Sequence, residues 1–117
     1  MQLHVKGKNL EVSESIRSYA ERKLAKLDKQ VHANTEVEVE LAVERNPSVA
    51  ANQIAEATVR LKGHTLRARE ATHDMKASID ELAEKLARQI HDERDKKMRR
   101  RKIDKHALDA TGTTPDF

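Results

Sequence analysis

Residues 35–45, TEVEVELAVER, alternate apolar and acidic side chains along most of their length. Successive side chains of a β-strand point to opposite faces of its sheet, so the pattern predicts a strand with one buried and one solvated face. The side chains predicted to be buried are Val37, Val39, Leu41 and Val43. Those predicted to lie on the solvated face are Glu36, Glu38, Glu40 and Glu44. The glutamates are therefore predicted to solvate the open face of the sheet, not to form a metal or acid–base site.

The chain after this strand predicts two more strands in a meander. Asn46-Pro47 breaks the first strand, and residues 54–62 alternate again. Their predicted inward side chains are Ala55, Ala57, Val59 and Leu61. A tight reversal at Gly63-His64 is expected to lead into residues 65–71, TLRAREA, with Leu66 and Ala68 inward.

The chain before residue 35 predicts a strand and an amphipathic helix. Residues 2–6, QLHVK, alternate, and Ser13 is a suitable N-cap for the helix that follows. The helix has one apolar stripe at steps of three and four residues: Ile16, Ala20, Leu24, Leu27 and Val31.

A second amphipathic helix is predicted to open near residues 72–74. Its stripe consists of Met75, Ile79, Leu82, Leu86 and Ile90. The apolar pattern then stops until Met98, so residues 92–106 are expected to project from the domain or fray.

These elements predict an α+β fold with the order β-α-β-β-β-α. Two apolar stripes need one shared apolar surface, and the single apolar face of the four-stranded sheet supplies it. The helices are therefore expected to lie side by side on that face. The predicted organisation is a domain at 1–95, a basic extension of the last helix at 96–106 and a disordered tail at 107–117.

Positive charge is concentrated late in the chain, which favours a polyanionic partner. The net charge is +3, but residues 85–106 hold ten Lys or Arg against four Asp or Glu. Two basic groups are expected to form one continuous face on the neighbouring helices: Lys23, Lys26 and Lys29 on the first, and Lys85 and Arg88 on the second. With only Tyr19 and Phe117 as aromatics, stacking on single-stranded bases is disfavoured, and a folded, phosphate-rich surface is the better candidate.

The residue patterns do not favour catalysis or a bound cofactor. The 117 residues include no cysteine, and the six histidines show no metal-ligand spacing. No serine has a neighbouring base or glycine elbow, and no phosphate-binding glycine loop occurs. We therefore expect a protein without catalytic residues, metal, cofactor or small-molecule substrate. Because no signal peptide or membrane span is evident, we also expect it in the cytoplasm.

Residues 74–90, DMKASIDELAEKLARQI, resemble the D-M-Y-x-A-I-D-x-L-x-x-K-L-x-R-Q signature of bacterial ribosome hibernation-promoting factors and ribosome-associated inhibitors. The opening MQLHVKGKNLEVSESIRSYAERKLAKLDK is similar to the first strand and helix of the same family. The resemblance covers about residues 1–95 and implies a fold like a double-stranded-RNA-binding domain. Length makes the short form of the family the best match.

The resemblance also implies a partner and a site. The partner is the small ribosomal subunit with its 16S rRNA, bound in the channel of mRNA and tRNA, so that translation is silenced in stationary or stressed cells. Off the ribosome we expect the protein to be a monomer. Short-form relatives favour ribosome dimers with the help of a small ribosome-modulating protein. The rRNA-facing positions implied are Lys23, Lys26, Lys29, Lys85 and Arg88.

Three positions depart from the family pattern. Lys76 stands where the family usually has Tyr, and Asp92 and Glu93 fall where relatives often carry Lys. The contacts expected there would come instead from Arg94, Lys96 and Lys97.

Two alternatives remain open from the residues alone. One is a general binder of double-stranded or structured RNA on the same fold. The other is a protein-interaction module whose long last helix docks a partner helix, against which the loss of apolar periodicity after Ile90 counts.

Overall fold

The computed structural model describes the backbone of residues 1–113 and the side chains of residues 1–96. The observed order is the predicted one, with a short 3-10 helix, Ala25–Gln30, added after the first α-helix. The elements are β1 Gln2–Gly7, α1 Glu14–Leu24, β2 Glu36–Val43, β3 Gln53–Leu61, β4 His64–Thr72 and α2 Met75–Thr113.

The four strands form one mixed sheet in the order β1-β2-β3-β4. β1 runs parallel to β2 because α1 carries the chain back across the sheet, whereas β2, β3 and β4 form the predicted antiparallel meander. A row of facing residues crosses all four strands: Val5, Val39, Ala57 and Ala68. All four are buried, so the apolar parity predicted for each strand points to one side.

Both helices pack on that side of the sheet, as predicted. The stripe of α2, from Met75 to Ile90, is buried at every expected position. In the first helical segment Ala20, Leu24 and Leu27 are buried, while Ile16 and Val31 are half-buried against the core. The core therefore lies between the sheet and the two helices, and the opposite face of the sheet is open.

The first helix is shorter than predicted, which corrects the expectation of a helix through Val31. The α-helix ends at Leu24, the 3-10 helix follows, and Val31 is already extended at φ −129°. A 3-10 helix has three residues per turn, so the three-residue step from Leu24 to Leu27 keeps both side chains on the core side.

The hairpin between β3 and β4 turns one residue earlier than predicted. Lys62 and Gly63 form the reversal, and His64 pairs with Leu61 as the first residue of β4. Gly63 has φ 75°, a conformation that glycine adopts without a side-chain clash.

Polar side chains close the start of each helix. The Ser13 hydroxyl oxygen accepts a hydrogen bond from the Ile16 backbone N–H at 3.2 Å, which confirms the predicted cap. Before α2, the Asp74 carboxylate accepts from the Ala77 N–H at 3.1 Å, and Asp74 N–H donates to the Thr72 hydroxyl at 3.1 Å. The start of α2 thus lies close to residues 72–74, where it was predicted.

The backbone of α2 continues as one helix through Thr113. It therefore includes residues 96–106, predicted as a helical extension, and also residues 107–113 of the predicted disordered tail. Residues 114–117 lie outside the described part of the chain. The division into domain, extension and tail stays a prediction.

Ser78 ties the start of α2 to the sheet. Its hydroxyl donates to the Gln53 carbonyl oxygen of β3 at 2.6 Å and accepts from the Thr72 N–H at 3.0 Å. The residue has no exposed surface, so water cannot replace either partner.

We predict that Ser78→Ala lowers the free energy of unfolding by about 1 to 3 kcal/mol, because it leaves buried backbone groups unpaired. Urea denaturation followed by circular dichroism measures this change. Ser18→Ala, at an exposed position of α1, is the matched control and should stay within about 0.5 kcal/mol of the parent protein. Equal stabilities of the two variants would contradict the role given to Ser78.

Candidate nucleic-acid interface

A groove runs between the two helices on the side away from the sheet; we call it the interhelix groove. Its floor is apolar and its walls are charged. The floor includes Leu27, Ala83 and Ala87, and the walls include Lys23, Lys26, Asp80 and Glu84. The structure therefore brings Lys23 and Lys26 to the predicted position between the helices, and sets two carboxylates opposite them.

Tyr19 and Asp80 link α1 to α2 at this groove. The Tyr19 hydroxyl lies 2.7 and 2.8 Å from the two carboxylate oxygens of Asp80 and donates to that carboxylate. Lys23 Nζ lies 3.5 Å from Asp80 Oδ1. Asp80 thus accepts a hydrogen bond from the Tyr19 phenol and forms an ion pair with Lys23. Both contacts link α1 to α2.

The same contact keeps the phenol in its protonated form. The hydrogen bond to Asp80 raises the pKa of Tyr19 above its ordinary value, with further contributions from desolvation and from the negative charge of Asp80. The contact with Asp80 therefore opposes ionisation of the Tyr19 phenol.

Three cations surround the ring of Tyr19. The Arg22 Cζ atom lies 5.4 Å from the ring centroid, Lys23 Nζ lies 5.5 Å away, and Lys76 Nζ lies 5.4 Å away. These distances are within the range of cation–π attraction. We call these residues, together with Asp80, the Tyr19 cluster.

A second groove lies beyond the interhelix groove, where the 3-10 helix, the β3–β4 turn and α2 meet; we call it the end groove. Basic side chains and one carboxylate, that of Glu93, line it above an apolar floor. The basic residues are Lys29, His32, Lys62 and Arg94, and the floor includes Val31, Leu61 and Ile90. The structure thus places Lys29 close to Arg94, two predicted site residues from different helices.

Asp28 does not neutralise the lysines beside it. Its carboxylate oxygen lies 2.9 Å from the N-terminal ammonium group. Among residues 1–96, neither Lys26 nor Lys29 forms an ion pair. Their charges therefore remain available on the surface.

Lys85 lies on the other flank of α2. Its Nζ atom is 3.3 Å from Glu70 Oε1 on β4, so it points away from α1. The face was expected to hold Lys23, Lys26, Lys29, Lys85 and Arg88. Its three lysines from the first helical segment lie along the two grooves, but neither Lys85 nor Arg88 lines them. Arg94 lies beside Lys29 instead. The spacing of basic residues within each helix does not specify how that helix is rotated about its axis. The sequence pattern therefore could not place Lys85 relative to α1.

The remaining predicted residues have separate positions. Arg88 is exposed on α2, and Lys96 lies with its Nζ atom 3.9 Å from Glu93 Oε1. Glu93 also lies 3.4 Å from the ring of His64. The side chain of Lys97 lies outside the described residues. The assignment of all eight residues to rRNA stays a prediction.

Sequence reasoning missed Tyr19, Arg22 and Asp80 as members of the site. Tyr19 stood out only as one of two aromatic residues, and Asp80 only as part of a motif. Their meeting depends on the packing of α1 on α2, which periodicity does not specify.

The described residues contain neither a metal-binding cluster nor a membrane span. Among them, no group of three or more His, Cys, Asp or Glu side chains could hold a metal ion. No helix there has the length and apolarity needed to cross a bilayer.

The family model described as "Sigma 54 modulation protein / S30EA ribosomal protein" matches residues 3–98. The chain belongs to this family. Its similarity to ribosome hibernation factors, expected from residues 74–90, is thereby confirmed. The family consists of non-enzymatic ribosome-binding proteins, which also confirms that the chain is not an enzyme.

Similar proteins are named ribosome hibernation factors. The chain is 36% identical over 96 residues to the ribosome hibernation promoting factor of Salmonella typhimurium, covering 82% of this chain and 96% of that protein. It is 38% identical over 97 residues to the ribosome hibernation promotion factor of Picosynechococcus sp., covering 82% of this chain. The chain spans about half the length of that second relative, because the match covers 50% of it.

Solved structures confirm the fold. The N-terminal domain of Thermus thermophilus Protein Y superposes with a TM-score of 0.66 at 32% identity, covering 77% of this chain and 96% of that one. A ribosomal subunit interface protein from Coxiella burnetii gives a TM-score of 0.69 at 21% identity, covering 81% of this chain and 99% of that one. The second likeness concerns the fold alone.

The environment of Tyr19 can be tested by titration, because Tyr19 is the one tyrosine in a chain without tryptophan. We predict that its ultraviolet absorbance titrates above the ordinary pKa of tyrosine, because ionisation would place a phenolate beside Asp80. Asp80→Asn should lower the pKa of Tyr19, since it removes the charge that opposes ionisation.

Glu84→Gln is the control, because Glu84 lines the same groove without contacting Tyr19. Circular dichroism at each pH ensures that the folded protein is titrated. An unchanged Tyr19 titration in Asp80→Asn would show that the contact does not persist in solution.

Proposed function

We propose that this chain binds the small ribosomal subunit in the channel of mRNA and tRNA and thereby inhibits translation. The proposed contact surface is the side of the two helices that faces away from the sheet, with the interhelix groove and the end groove; we call it the helix face. The observation that carries the proposal is the line of cations along the interhelix groove and the adjoining end groove: Lys23, Lys26, Lys29 and Arg94. Family membership supports the ribosome as the partner, and the cations of the grooves support this surface as the one that would meet its 16S rRNA.

Electrostatics supports this surface as the RNA-binding one. Lys and Arg side chains that replace the counterions of phosphates gain affinity from counterion release and from charge-assisted hydrogen bonds. Lys26, Lys29 and Arg94 have no ion pair among residues 1–96, so they can meet phosphates without first breaking an ion pair there.

The open face of the sheet is a weaker candidate, because most of its cations already pair with glutamates. Arg60 lies 3.2 Å from Glu38 and 3.9 Å from Glu36, Arg69 lies 3.2 Å from Glu56, and Lys6 lies 3.6 Å from Glu40. Phosphates approaching this face would meet the row of β2 carboxylates. The fold thus separates a phosphate-attracting face from an acidic one.

The proposed mechanism is occlusion. A folded domain that occupies the decoding channel excludes mRNA and tRNA by volume, so no chemical step is needed. In this proposal the protein acts in the cytoplasm of stressed or stationary-phase cells. It stabilises inactive ribosomes there, and a small ribosome-modulating protein would assist when ribosomes dimerise.

We predict that Lys26→Glu combined with Arg94→Glu abolishes co-sedimentation with small ribosomal subunits. Each reversal replaces attraction to a phosphate by repulsion, and both residues are exposed, so the fold should persist. A sucrose gradient of ribosomes with and without the protein measures binding and ribosome dimers together.

The matched control is Lys8→Glu combined with Arg67→Glu, which makes the same change in net charge. Lys8 follows β1, and Arg67 has the open-face parity of β4; both are exposed. If the control loses binding as fully as the first double variant, net charge and not the helix face governs association. If the first variant sediments like the parent protein, the proposed interface is wrong.

We also predict that deletion of residues 99–117 weakens binding and flattens its salt dependence without eliminating it. The deleted segment carries five Lys or Arg residues, which would contribute phosphate contacts beyond the grooves. Filter binding across a range of salt concentrations measures both effects. Complete loss of binding by the folded truncated protein would show that the main interface lies within residues 99–117.

A general RNA-binding function on the same fold makes a different prediction. A shape-reading domain would bind a free RNA duplex about as tightly as the small subunit. Competition by excess duplex in the sedimentation assay separates the two, since release of the protein would favour the general binder.

A further inference from the structure

The Tyr19 cluster has more positive charge than its surroundings neutralise. Arg22, Lys23 and Lys76 lie within 5.5 Å of the ring centroid. Asp80 pairs with Lys23 alone, and neither Arg22 nor Lys76 forms an ion pair with any side chain of residues 1–96. Asp74 is close enough to influence Tyr19, but its carboxylate accepts from the backbone of α2.

The ring holds these cations in place without using up their hydrogen-bond donors. Attraction between a cation and a ring face is electrostatic and leaves the N–H groups free to bind another ligand. The Tyr19–Asp80 hydrogen bond holds the ring, and the ring limits the positions open to Arg22 and Lys76. A site preorganised in this way loses less side-chain entropy when it binds an anion.

We propose that the Tyr19 cluster is a phosphate-binding subsite for the RNA backbone, in which Arg22 and Lys76 contact the phosphate and Tyr19 and Asp80 position them. This inference rests on the proposed function, since the phosphate belongs to the rRNA that the helix face meets. The cluster adjoins the interhelix groove through Lys23 and Asp80, which belong to both. It extends the line of cations to the opposite end from the end groove.

The proposed subsite depends on Lys76, at a position where this chain differs from the family signature. The family signature usually has Tyr at this position, and a phenol has no positive charge with which to bind phosphate. Replacement by Lys brings a cation from α2 to the ring on α1, where Lys76 and Arg22 each lie 5.4 Å from the ring centroid.

The test compares Lys76→Met with Lys8→Met, each of which removes one exposed lysine charge. Affinity for small ribosomal subunits is measured at several salt concentrations. For Lys76→Met we expect binding about threefold to tenfold weaker, and a salt slope smaller by about 0.7 to 0.9, the value for one lost phosphate contact. Lys8→Met should change neither quantity appreciably.

Two further variants separate the phosphate contact from its support. Lys76→Tyr, which restores the residue usual in the family, should lose the same part of the salt slope as Lys76→Met. Tyr19→Leu removes the ring while leaving every cation, so it should weaken binding by less than Lys76→Met. Circular dichroism and thermal unfolding check that each variant is folded.

The outcomes distinguish this inference from the proposed function. If the parent protein binds small subunits and Lys76→Met binds with the same affinity and slope, the subsite is wrong and the proposed function stands. If the parent protein does not bind small subunits, the proposed function itself fails. Saturable binding of inorganic phosphate that depends on Lys76, with ribosome affinity unchanged, would assign the cluster to free phosphate and overturn its role with RNA.

Discussion

The structure depends on one constraint, which is that a single apolar sheet face must be covered by both helices. The row Val5, Val39, Ala57 and Ala68 crosses all four strands and is buried throughout. Neither helix is wide enough to cover such a sheet alone, so they lie side by side. The grooves that hold the basic residues exist because two cylinders packed on one surface leave a valley between them.

Side-chain size on the sheet matches the helices above it. β3 and β4 present Ala55, Ala57 and Ala68 toward the core, and α2, which packs on these strands, brings Ile79, Leu82 and Leu86. Small residues below large ones give a dense core, since the helix can approach closely enough for its side chains to fill the space. Ser78 then joins the start of α2 to Gln53 on β3. The positions of the basic residues on α2 follow from this packing.

Most of the fold could be predicted from the sequence, because alternation in strands and three- and four-residue steps in helices are local consequences of burying one face. The caps at Ser13 and residues 72–74 were predictable for the same reason, as their hydrogen bonds are local. The site was predictable only in part. Lys85 shares a helix with Arg94 but pairs with Glu70 on β4, and the Tyr19 cluster joins residues 57 positions apart, from Tyr19 to Lys76. Both depend on the rotation of each helix about its axis, which is decided by long-range packing.

The two faces of the domain differ in how their charges are balanced, and this difference is the basis of the functional account. Among residues 1–96, most open-face cations pair with the glutamates of β2 and β3, whereas Lys26, Lys29 and Arg94 of the helix face form no ion pair. Electron cryomicroscopy of the protein bound to small ribosomal subunits tests the account most directly. We expect the domain in the mRNA and tRNA channel, with Lys26, Lys29 and the Tyr19 cluster against 16S rRNA. Density for the domain outside the channel, or with the open sheet face on the rRNA, would contradict the account.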